Sequence, residues 1–196
     1  FAIGGSYYAT CMPLIHSGDV SQWVFLSSNL ILAVAAVVFM HRNRWLKMPV
    51  LSLSASYASF LLWRLQVDEP LLTVVVGFST SLWIVYTAAV FLSKNDVLSD
   101  RQRATFLTAN NAAMFGLIMV DVLKYHKTEF WILPMVTGIS LLGCALAAVR
   151  FLKNQLLSHK SYLTQGLALV TLGLMTMNMV DSIRSPILAT QSVVLL

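Results

Sequence analysis

The chain has 196 residues, 58% of them apolar and only 11% charged, and its mean hydropathy is +0.75. Soluble domains carry about 25% charged residues, so this composition excludes an ordinary water-soluble fold and makes lipid the solvent for much of the surface. The net charge of +5 sits in short connectors between apolar stretches, which suits membrane topology and anionic headgroups; no nucleic-acid partner is expected.

In chain order, the first apolar stretch runs from about Phe1 to Ile15 and is too short to span a bilayer by itself. Full spans follow at about Trp23–Met40, Met48–Leu65, Leu71–Leu92, Ala104–Leu123, Phe130–Arg150 and Tyr162–Ile183, and another begins near Ile187. Most approach the ~20 residues that a helix needs to cross about 30 Å of hydrocarbon. They exceed barrel strands in length and lack the dyad alternation of outer-membrane strands. The expected fold is therefore all-α, a polytopic transmembrane helix bundle with about six full spans and partial spans at both ends. The chain starts on Phe1 and ends on Ser192-Val193-Val194-Leu195-Leu196. The expectation is a single transmembrane region, 1–196, cut from a longer multi-span protein and holding no soluble domain.

Breakers and caps agree with this segmentation. Pro49, Pro70, Pro134 and Pro186 fall near span starts, where a missing N–H costs little. Ser99-Asp100 offers a cap for the helix carrying Ala104 to Leu123. Trp23, Trp45, Trp63, Tyr125, Trp131 and Tyr162 lie at span ends, as an interfacial belt would place them.

The charges sort by side. Nine of the thirteen basic residues (Arg42, Arg44, Lys47, Lys94, Arg101, Arg103, Arg150, Lys153, Lys160) fall on one set of loops, and Arg64, Lys124, Lys127 and Arg184 on the other. Six of the eight acids run the opposite way: Asp19, Asp68, Glu69, Asp121, Glu129 and Asp181, against Asp96 and Asp100. By the positive-inside rule, loops 41–47, 93–103 and 151–161 are cytoplasmic and loops 16–22, 66–70, 124–129 and 184–186 are periplasmic or extracellular.

Chemistry-bearing residues are sparse. His16, His41, His126 and His159 lie in or beside loops, Cys11 and Cys144 form no CxxC pair, and there is no HExxH, GxSxG or P-loop. No catalytic residue, cofactor or metal site is expected. Asp121 and Asp181 stand near helix ends on the non-cytoplasmic side. Snorkelling to the headgroups is the ordinary reading of such residues; the sharper one has them converge with Arg64, Arg184 and Asn178 as contacts for a substrate or ion. Asn29, Asn110 and Asn111 lie inside spans, where amides usually hydrogen-bond neighbouring helices. Ser52-Ser56, Ala109-Ala113, Ala112-Gly116 and Ser140-Cys144-Ala148 supply small residues at four-residue spacing for close helix packing.

Three stretches carry a family resemblance. They are Ile3-Gly4-Gly5 with Thr10 to Leu14 and Gly18; Phe25 through Asn29-Leu30 to Arg42-Asn43-Arg44-Trp45-Leu46; and Leu167 to Met177 followed by Asp181-Ser182-Ile183-Arg184. Their order resembles a bacterial family of polytopic membrane proteins, the domain of unknown function 2339. The chain departs from that pattern at Gln191, where an acid is usual, and at Ser185-Pro186, where small polar residues are usual. The resemblance implies a multi-span bacterial inner-membrane protein and carries over no catalytic residue.

Two functions fit these features. One is a non-catalytic scaffold or accessory subunit of a membrane or envelope assembly, with the bilayer and other membrane subunits as partners. The other is a transporter or a membrane-embedded glycan- or lipid-handling protein with its site on the non-cytoplasmic side.

Overall fold

The computed structural model describes residues 5, 6, 9, 22–43, 47–67, 71–93, 98–152 and 156–177. Among these every regular element is helical. Helix α1 is Gln22–Asn43, α2 Lys47–Gln66, α3 Leu72–Leu92, α4 Asp100–Tyr125, α5 Ile132–Phe151 and α6 Leu156–Thr176, with a 3-10 turn, Lys127–Glu129, before α5. The starts and stops follow local chemistry. Pro49 and Pro134 occupy the third positions of α2 and α5, where their missing N–H groups have no intrahelical acceptor to lose. Helix α3 stops at Ser93, whose hydroxyl folds back onto the Val90 carbonyl at 3.1 Å.

Four stretches among the described residues are long and apolar enough to cross a membrane: Trp23–Arg42, Leu72–Leu92, Asp100–Tyr125 and Lys127–Phe151. Helices α2 and α6 form where spans were expected but are less apolar. Four serines and Arg64 dilute α2, and the first half of α6 carries Ser158, His159, Lys160, Ser161, Thr164 and Gln165. The segments near Phe1–Ile15, beyond Thr176 and near Ile187 lie mostly outside the described residues.

Two compact units divide the chain: Phe1–Ser99 with Ala109–Leu117, and Asp100–Thr108 with Ile118–Leu196. The first unit buries polar side chains among its apolar ones and exposes large apolar side chains. Asn29, Ser52, Ser56 and Asn110 are fully buried, whereas Ile31 is 67% and Leu51 63% exposed. Water would favour the reverse arrangement; hydrocarbon favours this one, because backbone and side-chain polar groups must then find partners within the protein. Beside buried aliphatic residues such as Ala33, Val75 and Leu82, stacked aromatic rings pack in its core, with Phe60 lying 4.8 Å from Phe78 and 5.4 Å from Trp63 between ring centroids.

The second unit is built on the pair α5 and α6. The Ala145 carbonyl meets His159, Gly138 meets Gly166 and Val170, and Met135 meets Gly173, an order that makes the two helices antiparallel. Pro134, Thr137, Gly138, Leu141, Ala145 and Ala148 form the buried face of α5. Its outward face is apolar, with Leu146 at 73% exposed. The chain is thus an all-α, membrane-associated protein.

The expected aromatic belt needs correcting at two places. Trp23 and Tyr125 are exposed at helix ends, but Trp63 and Tyr162 are buried. Trp63 stacks within the aromatic core, so its place near the end of α2 reflects packing rather than an interfacial anchor.

Candidate functional site

The most developed constellation is a layer of buried polar side chains in the first unit. Its centre is the Tyr86 hydroxyl on α3, which hydrogen-bonds the Ser52 hydroxyl at 2.9 Å and the Ser56 hydroxyl at 2.8 Å on α2. The four-residue spacing of the serines puts both on one face of α2, and a tyrosine reaching from α3 bridges them. From α1, Asn29 donates through Nδ2 to the Ser56 carbonyl at 3.1 Å. The Oδ1 atom of Asn29 is buried and accepts no hydrogen bond among the described residues.

The central turns of α4 close the layer. Tyr57 donates its hydroxyl hydrogen to Asn110 Oδ1 at 2.9 Å. Asn110 Nδ2 in turn donates to the Trp83 carbonyl at 3.1 Å and to Thr87 Oγ1 at 3.2 Å. The neighbouring Asn111 accepts from Trp83 Nε1 at 2.7 Å through Oδ1. Asn29, Asn110 and Asn111 therefore each form a hydrogen bond with a neighbouring helix. The bridging residues Tyr57, Trp83, Tyr86 and Thr87 gave no such signal in sequence, since nothing local distinguishes a tyrosine that bonds across helices from one that fills space.

A groove of about 390 Å³ in the first unit is lined by Trp23, Leu26, Leu30, Val74, Gly77 and Phe78 together with Ser27, Thr73 and Ser81. Ser81 donates to the Gly77 carbonyl at 2.7 Å, and Ser27 donates to the Trp23 carbonyl. Those two hydroxyls are spent on their own helices, which leaves the groove walls mainly apolar.

In the second unit, the Asp100 carboxylate accepts from the backbone N–H of Leu157 at 2.8 Å, from that of Ser158 at 3.0 Å and from the Ser158 hydroxyl at 2.7 Å. These donors belong to the first turn of α6, whose N–H groups have no partner within the helix. Asp100 thus caps a helix 57 residues away in sequence; the local cap on the helix carrying Ala104 was the sequence expectation for this carboxylate. Farther along the same seam, Thr108, Ser161 and Gln165 share a triad of bonds of 2.6 to 2.9 Å.

The candidate contact residues are placed as follows. Asp121 is 2% exposed on the C-terminal half of α4, between the buried Ile118 and Val122; it does not snorkel outward. Arg64 is half-buried, and its Nη1 donates to the Val67 carbonyl at 2.9 Å, closing the end of its own helix. Arg64 belongs to the first unit and Asp121 to the second. Asp181, Arg184 and Asn178 lie outside the described residues. Among the described residues, no group of three or more His, Cys, Asp or Glu side chains has the arrangement of a metal site.

The chain matches no protein-family model, no curated protein and no solved structure.

Proposed function

We propose that the protein is a non-catalytic integral-membrane scaffold, an accessory subunit that gives a membrane or envelope assembly a rigid helical platform. The observation that carries this reading is the use made of the buried polar groups: Tyr86, Ser52, Ser56, Tyr57, Asn110 and Asn111 bond one another, the Trp83 indole or neighbouring backbone, which fixes helix register. On the Ile3-Gly4-Gly5 and Asp181-Ser182-Ile183-Arg184 motifs, the same proposal places the chain among the proteins of domain of unknown function 2339. Its location is then the bacterial inner membrane, with the Lys/Arg-rich loops in the cytoplasm.

The test is affinity purification of the tagged, full-length protein from its own membrane in mild detergent. A defined set of membrane subunits should co-purify in fixed stoichiometry and dissociate when Tyr86→Ala disrupts the polar layer. Recovery as an isolated monomer, with unchanged envelope assembly in a deletion strain, would remove the reading.

One observation favours a second function, that of a transporter or glycan- or lipid-handling protein. Asp121 is a carboxylate buried within an apolar helix, and ionisable groups in such places mark transport paths and relays when they act. Loss of solute flux in Asp121→Asn proteoliposomes, with helical content and oligomeric state retained, would establish it; retained flux would dismiss Asp121 from that role.

A further inference from the structure

Three basic side chains in the second unit, Arg101, Arg150 and Lys160, are exposed. Two hydrogen-bond contacts bring their helices to one end. Asp100, the residue before Arg101, is bonded to Leu157 and Ser158 at the start of α6. His159, the residue before Lys160, bonds through Nδ1 to the Ala145 carbonyl in the second half of α5. The first turn of α4, the last turn of α5, which carries Arg150, and the first turn of α6 therefore share this end of the unit.

No ion pair engages these three cations among the described residues. Among the described residues at this end the one carboxylate, Asp100, is committed to the backbone and Ser158 hydroxyl of α6 and to the charge of the buried Arg103. Large apolar side chains next to them in the chain are exposed as well: Phe151 is 69%, Leu156 60% and Leu157 49% exposed. Cations interleaved with exposed large hydrophobics suit the boundary between headgroups and acyl chains, where apolar groups are buried and basic groups remain at the phosphates. The opposite end differs. There Lys124 lies over the Tyr125 ring, 4.9 Å from its centroid, and Lys127 is two residues from Glu129.

We infer that the end of the second unit bearing Arg101, Arg150 and Lys160 is a docking surface for anionic phospholipid headgroups, with Phe151, Leu156 and Leu157 seated among the adjoining acyl chains. The inference rests on the membrane reading above and adds to it a lipid selectivity that a scaffold function alone does not require. Its physical basis is charge complementarity. A basic residue near an anionic membrane surface favours binding by a factor of roughly five, and that attraction weakens with salt because exposed charges are screened over about 8 Å at physiological ionic strength.

The test uses the full chain reconstituted in mixed phosphatidylcholine–phosphatidylglycerol bilayers, with the retained lipids counted by native mass spectrometry after gentle extraction. The parent protein should retain phosphatidylglycerol over phosphatidylcholine, and this preference should fall as salt rises. The combined variant Arg101→Gln, Arg150→Gln, Lys160→Gln should lose about fivefold in preference per charge removed, while Lys124→Gln with Lys127→Gln should leave it unchanged. A preference insensitive to salt, untouched by the triple variant or lost equally in the control pair overturns the inference. So does displacement of the lipid by inorganic phosphate alone, which would point to a free-phosphate site. Alkaline extraction separates the two readings: release of the parent from the bilayer defeats the membrane reading itself, whereas retention without lipid preference defeats only the headgroup surface.

Discussion

Gly138 and Gly166 bring the backbones of α5 and α6 so close that a methyl group on Gly138 would lie 2.8 Å from the Gly166 carbonyl oxygen and 2.8 Å from the Val170 nitrogen. Both obstacles are main-chain atoms, which cannot rotate aside. Gly138→Ala should therefore wedge the pair apart and destabilise the second unit by about 1–3 kcal/mol, the usual cost of overpacking. Gly143, on the same helix, has nothing within 4 Å of the corresponding position. Gly143→Ala should be neutral or stabilising by up to about 1 kcal/mol, since alanine is the better helix former. Unfolding midpoints in a detergent–SDS titration compare the two directly, and equal effects would show that close approach at Gly138 is not what holds the pair.

The cap on α6 makes a second contrast. Asp100→Ala removes the acceptor for two backbone N–H groups and the Ser158 hydroxyl, and should cost about 1–2 kcal/mol. Asp100→Asn keeps an acceptor oxygen and should recover much of that loss, though not the attraction of a full negative charge for a helix N-terminus. Hydrogen exchange at the Leu157 and Ser158 amides reports the local event: acceleration in the alanine variant and near-parent protection in the asparagine variant. Parent-like exchange in both would sink the cap.

Within the first unit, Tyr57 and Asn110 should behave as one element. Asn110→Ala leaves the Tyr57 hydroxyl buried without its acceptor, and Tyr57→Phe leaves Asn110 Oδ1 without its donor. Tyr57→Phe should cost about 1 kcal/mol, and Asn110→Ala more, because it also removes the bonds to the Trp83 carbonyl and Thr87 Oγ1. The double variant should cost less than the sum, by about 0.5 kcal/mol or more, because residues sharing a bond are not additive. Strict additivity in thermal unfolding would deny the coupling.

Much of the helix layout was legible in sequence, because apolar length is a property of the chain itself. The expected Trp23–Met40, Met48–Leu65 and Leu71–Leu92 spans correspond to helices Gln22–Asn43, Lys47–Gln66 and Leu72–Leu92. What stayed hidden was azimuth. The helices are apolar around much of their circumference, so the pattern does not say which face turns inward. Trp63 and Tyr162 read as interfacial anchors and are in fact buried. Ser140-Cys144-Ala148 read as a packing face, yet Ser140 is exposed and the close approach is made by Gly138. Gly166 and Gly173, seven residues apart and near the same α6 face, were the available clue. Asp100 was identified as a capping residue, but its target 57 positions away depends on tertiary contacts that no local motif records.

Sidedness is open to a direct test on either flank of α4. This helix has 26 residues, about 39 Å at 1.5 Å per residue, enough to cross some 30 Å of hydrocarbon. Ser99, just before it, and Thr128, just after it, are both exposed. Applied to the basic loops, the positive-inside rule predicts Ser99 in the cytoplasm and Thr128 outside it. In a background with Cys11→Ser and Cys144→Ser, a membrane-impermeant thiol reagent added to intact cells should label Thr128→Cys and spare Ser99→Cys, and permeabilised cells should label both. The opposite pattern would invert the orientation. Labelling of both from outside intact cells would mean that α4 does not cross the membrane, and the charge asymmetry would then need another cause.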